Sequence, residues 1–151
     1  MLTLACPSDM MAHSGKNLDP SDWLAIDQPL IDLFAQATDD HNWIHVDADR
    51  ASRELPGGVT IAHGFLTLSL LPRLTRTIFS IANTSRGINY GANRIRFTGA
   101  VPCGSRIRLH LKVMDVRLMD DATRMTFDNR VEVEAHERPA LVAETIYQYY
   151  N

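Results

Sequence analysis

The spacing of apolar residues changes period near the middle of the chain. In the front half, Leu30, Leu33, Phe34 and Ala37 recur at helical spacing behind Pro29. Proline is tolerated in a first helical turn, so this pattern predicts a helix ending near Thr38. Asp39 to His45 has no clear period and reads as a polar loop. Asp47 to Leu55 predicts a second short helix with Asp47 as its N-cap, and Pro56-Gly57-Gly58 breaks it. Val59 to Phe79 is the most apolar segment: Ile61, Phe65, Leu68, Leu71, Leu74 and Ile78 trace a stripe that Leu66 and Leu70 widen. This predicts one long helix buried on most sides, kinked or stopped early at Pro72, which cannot donate to the preceding turn. Upstream, Pro7-Ser8-Asp9 opens a short helix, Asn17 to Ser21 is turn-like, and Trp23, Leu24 and Ile26 form a short strand or lead into the first helix.

The back half alternates with period two. Arg94 to Phe97 and Arg106 to Val113 alternate, and Met125, Phe127, Val131 and Val133 share one parity, with Thr126, Asp128, Glu132 and Glu134 on the other. Leu141 to Tyr150 forms a last strand. Turn signals at Gly99 to Gly104, Asp120-Asp121 and Glu137-Arg138-Pro139 separate these runs. Strands joined so closely are antiparallel, with one apolar face for the buried helix to cover. The expected architecture is α+β, an antiparallel sheet wrapped around a long apolar helix in a single domain over residues 1–151.

Composition narrows the function classes. At 151 residues the chain can bury a real core, and 45% apolar with 22% charged residues is ordinary for a globular protein. A net charge of -3 argues against nucleic acid as a partner. Two cysteines, Cys6 and Cys103, are too few for a disulfide scaffold and read as free thiols in a reducing compartment. No apolar run reaches the ~20 residues of a membrane span, and the stretch from Met1 to Cys6 lacks the basic start and ~7–15-residue apolar core of a signal peptide. The expectation is a cytoplasmic protein with an ordinary N-terminus and no membrane partner.

The candidate chemistry lies in the aperiodic loop. Asp40, Asn42 and His45 offer a carboxylate, an amide and an imidazole, and His63-Gly64 precedes most of the apolar helix. A first helical turn leaves about four N–H groups without intrahelical partners, which suits an oxyanion. Gly64 would let a substrate approach the backbone closely.

These residues carry a resemblance. Phe34-Ala-Gln-Ala-Thr-Asp-Asp-His-Asn-Trp-Ile-His-Val-Asp47, followed by Ile61-Ala-His-Gly-Phe-Leu-Thr-Leu-Ser69, resembles the signature of the MaoC-like (R)-specific enoyl-CoA hydratases, in their NodN-like branch. Ile88-Asn-Tyr-Gly-Ala-Asn-Arg-Ile-Arg-Phe97 and Val101-Pro-Cys-Gly-Ser-Arg106 resemble that branch too. The resemblance implies a hot-dog fold, a homodimer with an acyl-CoA tunnel along the subunit boundary, and no cofactor beyond the coenzyme A of the substrate. It makes Asp40 and His45 the acid/base pair, with Asn42 orienting water or the pair. It gives the Gly64 N–H to the thioester oxygen, and places His63, Ser69, Tyr90 and Arg94 near the substrate, Arg94 toward the coenzyme A phosphates.

The chain departs from the family pattern at Asp39, where many members have Gly, and at Trp43, where many have Pro. Asp39 is expected to point to solvent. His41, His45 and His63 could be read as metal ligands, but an irregular loop is a poor zinc site and no metal is expected. A hot-dog thioesterase is disfavoured because no Asp or Glu stands between Ile61 and Phe79. A non-catalytic acyl-CoA binding module is disfavoured by the retained Asp40 and His45.

Overall fold

The structure is a computed structural model that describes residues 1–150. In chain order, strand β1 (Leu2–Leu4) leads to a 3-10 helix (Pro7–His13) and a two-residue strand β2 (Leu24–Ala25). Helices α1 (Gln28–Thr38), α2 (Trp43–Val46), α3 (Ala48–Glu54), α4 (Gly64–Ser69) and α5 (Leu71–Ile78) follow. Strands β3 (Phe79–Ile81), β4 (Arg86–Phe97), β5 (Arg106–Leu118), β6 (Ala122–Val133) and β7 (Leu141–Tyr150) complete the chain.

Five strands form one antiparallel sheet in the order β2-β5-β6-β7-β4. The period-two residues land as expected: Ile107, Leu109, Leu111 and Val113 of β5 and Met125, Phe127, Val131 and Val133 of β6 are buried together. They pack with Leu66, Leu70, Leu71, Leu74 and Ile78 of the α4–α5 segment in one hydrophobic cluster. The sheet thus curls over the apolar helix. Its removal from water is the main stabilising term of the fold.

The limits of the elements add local detail. The apolar helix begins at Gly64, five residues after Val59, because Thr60 to Ala62 is held extended: Ala62 N–H donates to Val101 O (2.8 Å), Cys103 N–H to Thr60 O (2.8 Å) and Ile61 N–H to Ile44 O (3.0 Å). The interruption expected from Pro72 is present as a split at Leu70, two residues earlier, since proline has no N–H to continue the ladder, and Phe79 is already in β3. Strand β4 starts eight residues before Arg94, carried by pairing with β7 through two register shifts. A short parallel pair, β1 with β3, closes one end of the molecule. β4 is the long edge strand, opposite the two-residue β2, and is exposed along nearly its whole length, with Ile88, Tyr90 and Phe97 among the exposed large apolar residues and Phe65 of α4 beside Phe97. Among the described residues, no helix is long and apolar enough to cross a membrane.

Candidate active site

The loop expected between Asp39 and His45 contains a turn of helix, α2, and the reason is capping at each step. Asp27 caps α1 by accepting from Leu30 N–H, and Pro29 lies in that first turn as expected. α1 ends at Asp39 in the left-handed region, at φ 56°. Asn42 then caps α2 by accepting from Ile44 N–H, at 3.4 Å, and Asp47 caps α3 by accepting from Arg50 N–H at 2.9 Å. Three caps within twenty or so residues turn the chain tightly enough to bring Asp40 and His45 against the extended Thr60–His63 segment.

Asp39 points to solvent, its side chain 99% exposed, with His41 3.7 Å away. The left-handed backbone explains the family's glycine, since an L side chain there costs about 1 kcal/mol or more. Asp39→Gly is expected to raise Tm by about 2 °C in a thermal melt, because relief of roughly 0.5–1 kcal/mol moves a chain of this size by that amount. Trp43 occupies the first position of α2, where proline is favoured, and lies under the Arg50 guanidinium at 4.0 Å.

Asp40, His45 and His63 form one group, each offering an atom within 4.8 Å of the others. The His45 and His63 rings stack with centroids 3.7 Å apart and 26° between planes, and Phe34 packs on the other side of His63 at 5.1 Å. His45 Nδ1 lies 2.6 Å from Ile61 O. A carbonyl only accepts, so Nδ1 carries the proton and Nε2 keeps its lone pair. By the same argument His63 Nε2 donates to Asp40 O at 2.9 Å, which fixes the backbone of the carboxylate-bearing residue. His63 Nδ1 is left buried without a partner. Burial pushes the His45 pKa down and the neighbouring His63 adds to this, against the opposing pull of Ile61 O and the Asp40 carboxylate. His45 is therefore held neutral at neutral pH. The Asp40 side chain remains 56% exposed and reachable.

One residue that periodicity does not mark holds this arrangement. Gln28 Nε2 donates to His45 O (2.8 Å) and to Asp32 Oδ1 (2.7 Å), while its Oε1 accepts from Thr60 Oγ1. It ties α1, α2 and the Thr60–His63 segment together.

The remaining expected residues are spread along a line. Gly64 follows His63 directly at the start of α4, and a Cβ built there would lie 2.8 Å from the Phe97 ring. Ser69 is exposed five residues further along the helix and lines a cavity of about 450 Å³ with Pro72, Gly91 and Tyr147. Tyr90 and Arg94 stand on the exposed edge strand rather than beside Asp40. The Tyr90 ring lies under Arg124 at 4.1 Å, and Arg94 faces Glu144 in register although Glu144 bonds Asn93 instead.

The sequence matches the family described as MaoC like domain over residues 9–135. It is 44% identical over 150 residues to 3-hydroxyacyl-thioester dehydratase Z of Mycobacterium tuberculosis, covering 99% of each chain. It is 42% identical to Nodulation protein N of Rhizobium leguminosarum bv. viciae, covering 94% of this chain and 91% of that protein. Among solved structures, the unliganded R-hydratase PhaJ1 of Pseudomonas aeruginosa aligns with a TM-score of 0.73 at 24% identity, over 91% of this chain and 82% of that one. The (R)-hydratase of A. caviae aligns at 0.66 and 19% identity, over 89% and 94%. These two carry the fold, a hot-dog of curled antiparallel sheet around a helix. With both family and relatives matched across nearly the whole chain, the protein belongs to the MaoC-like family and is an enzyme of its dehydratase kind.

Proposed function

We propose that the protein adds water to a trans-2-enoyl-CoA to give the (R)-3-hydroxyacyl-CoA, and catalyses the reverse dehydration. The observation that carries this reading is His45, held neutral with Nε2 free beside the Asp40 carboxylate. A general base must be unprotonated at working pH and within reach of the proton it takes.

In the hydration direction, His45 Nε2 takes one proton from a water that the Asp40 carboxylate and the Asn42 amide orient. The remaining hydroxide adds to C3. The electron pair of the double bond moves toward the thioester, whose oxygen gains negative charge against the Gly64 N–H, which has no intrahelical partner. The pair then gives a proton to C2. One water is consumed, and the proton taken from it is balanced by the proton delivered, so the residues return to their starting state. His63 acts through its neighbours, stacking on His45 and holding the Asp40 backbone.

An acid/base pair fits this cluster better than a metal ion. His45 and His63 stack nearly parallel, so their in-plane lone pairs run side by side rather than converging, and one nitrogen of each is committed to a backbone carbonyl. The reaction requires no resident cofactor. For the coenzyme A phosphates, Arg94 is the favoured cation, because its register partner Glu144 is engaged by Asn93.

The exposed, unpaired β4 edge supports a homodimer joined along this strand, since an open apolar edge invites pairing. Light scattering on the purified protein is expected to give the mass of two chains; a monomer at micromolar concentration contradicts it. The functional test follows enoyl-thioester absorbance and free thiol together. Loss of absorbance without thiol release is the expected result. Thiol release without loss of the double bond means a thioesterase and overturns the proposal.

A further inference from the structure

The α4–α5 segment and β4 run side by side in opposite directions. Phe97 abuts Gly64 at one end, Gly91 and Ala92 lie beside Leu68 and Ser69 midway, and Gly87 to Asn89 lie beside Thr75 and Arg76 at the other. Between them runs a groove made of two cavities, about 450 and 430 Å³, which share Pro72, Asn89 and Tyr147 in their walls. A Cβ built on Gly91 meets nothing within 4 Å, so the floor of the groove is open there. At the helical rise of 1.5 Å per residue, Gly64 and Arg76 are about 18 Å apart.

The two ends differ in chemistry. Beyond the near end, Gly64 follows His63, whose ring stacks on that of His45. The far end is walled by polar groups that the reaction does not use. Thr75 is 5% exposed, and its Oγ1 has the Tyr147 hydroxyl as its hydrogen-bonding neighbour. It faces the Tyr147 hydroxyl, and Tyr149 completes that wall. Arg76 stands at the rim and, among the described residues, pairs with no carboxylate. Thr75 and Tyr147 share at most one hydrogen bond, so a purely hydrocarbon chain tip would leave one hydroxyl proton of that pair and the Tyr149 hydroxyl without an acceptor, and such burial costs free energy for each group left unpaired. A ligand oxygen would satisfy them.

We infer that the far end of the groove is a subsite for a carboxylate at the distal end of the acyl chain, held by the Arg76 guanidinium, Thr75 Oγ1 and the Tyr147 hydroxyl. The inference rests on the proposed enoyl-thioester reaction, which places the thioester at Gly64 and points the chain down the groove. A charge-assisted hydrogen bond to such a group is worth tenfold or more in affinity.

The test uses saturated, unreactive thioesters. Calorimetric titration compares acyl-CoAs from octanoyl to hexadecanoyl with their ω-carboxy and ω-hydroxy counterparts of equal length. The expected result is that, at the length that spans the groove, the ω-carboxy ligand binds on the order of tenfold tighter than the methyl-ended one. In Arg76→Gln that ratio falls to near one, and in Thr75→Val it narrows. Equal or weaker binding of the ω-carboxy series at every length, absence of binding by all series, or a preference that survives Arg76→Gln overturns the subsite. An ω-hydroxy series that binds as tightly as the carboxylates overturns its anionic character. Hydration of methyl-ended enoyl-CoA with no carboxylate preference removes only this inference. A carboxylate preference without hydration of any enoyl-CoA removes the proposed reaction and leaves the subsite standing.

Discussion

Asp40→Asn and His45→Gln each lower kcat/KM for enoyl-CoA hydration by about 10²–10⁴-fold, the range for loss of an acid/base group, with Tm close to wild type. The two residues share one water and one proton circuit, so the double variant is expected to be little slower than either single one, as is usual for residues acting as a unit. The wild-type pH profile carries an acid limb whose apparent pKa lies below the ordinary histidine value of ~6.5, because burial first and His63 second disfavour imidazolium at His45. His45→Gln loses that limb. The sign extends to stability. A histidine with a depressed folded-state pKa stabilises the fold fully above its unfolded value, and that contribution is lost as pH falls through the folded one. Wild-type rates in both single variants would remove these residues from the chemistry.

Gly64→Ala is the second large effect. The new methyl would stand 2.8 and 2.9 Å from two atoms of the Phe97 ring, closer than packed carbons come, so either the ring or the first turn of α4 must move. The Phe97 ring is partly exposed and touches Phe65 at 5.4 Å, so a swing of the ring carries that contact with it. Displacing the Gly64 N–H from the thioester oxygen is expected to cost about 10²–10³ in kcat, the range for loss of one oxyanion donor. Steady-state kinetics on Gly64→Ala checks this. The steric origin is checked by Gly64→Ala/Phe97→Ala, which gives the methyl room and is expected to recover part of the loss. Undiminished kcat in Gly64→Ala would place the oxyanion elsewhere.

The sheet was legible in the sequence because its information is local. Alternation in β5 and β6 says which residues face inward, and Ile107, Leu109, Met125 and Phe127 are buried accordingly. The caps at Asp47 and Pro29's place in α1 were legible for the same reason. The limits of the apolar helix were not. Its late start depends on the Ala62 N–H donating to Val101 O and the Cys103 N–H donating to Thr60 O, partners some forty residues apart that no window of sequence contains. β1 and β3 are three residues each and pair across the length of the front half. In the candidate site, spacing and resemblance named Asp40 and His45, which the fold brings together with His63. The stacking of His45 on His63 and the bridging by Gln28 follow only from how three segments meet. Asp39 lay between these cases: the sequence marks it as a departure from the family's glycine, and φ 56° supplies the reason that residue is favoured there.

The most direct measurement is product analysis after incubating the purified protein with a trans-2-enoyl-CoA in ¹⁸O-labelled water. The expected product is 3-hydroxyacyl-CoA of (R) configuration with the label at C3, formed by wild type and reduced by orders of magnitude in Asp40→Asn. Free coenzyme A with the label in a released carboxylate, an (S) product, or no product across short and long chains would contradict it.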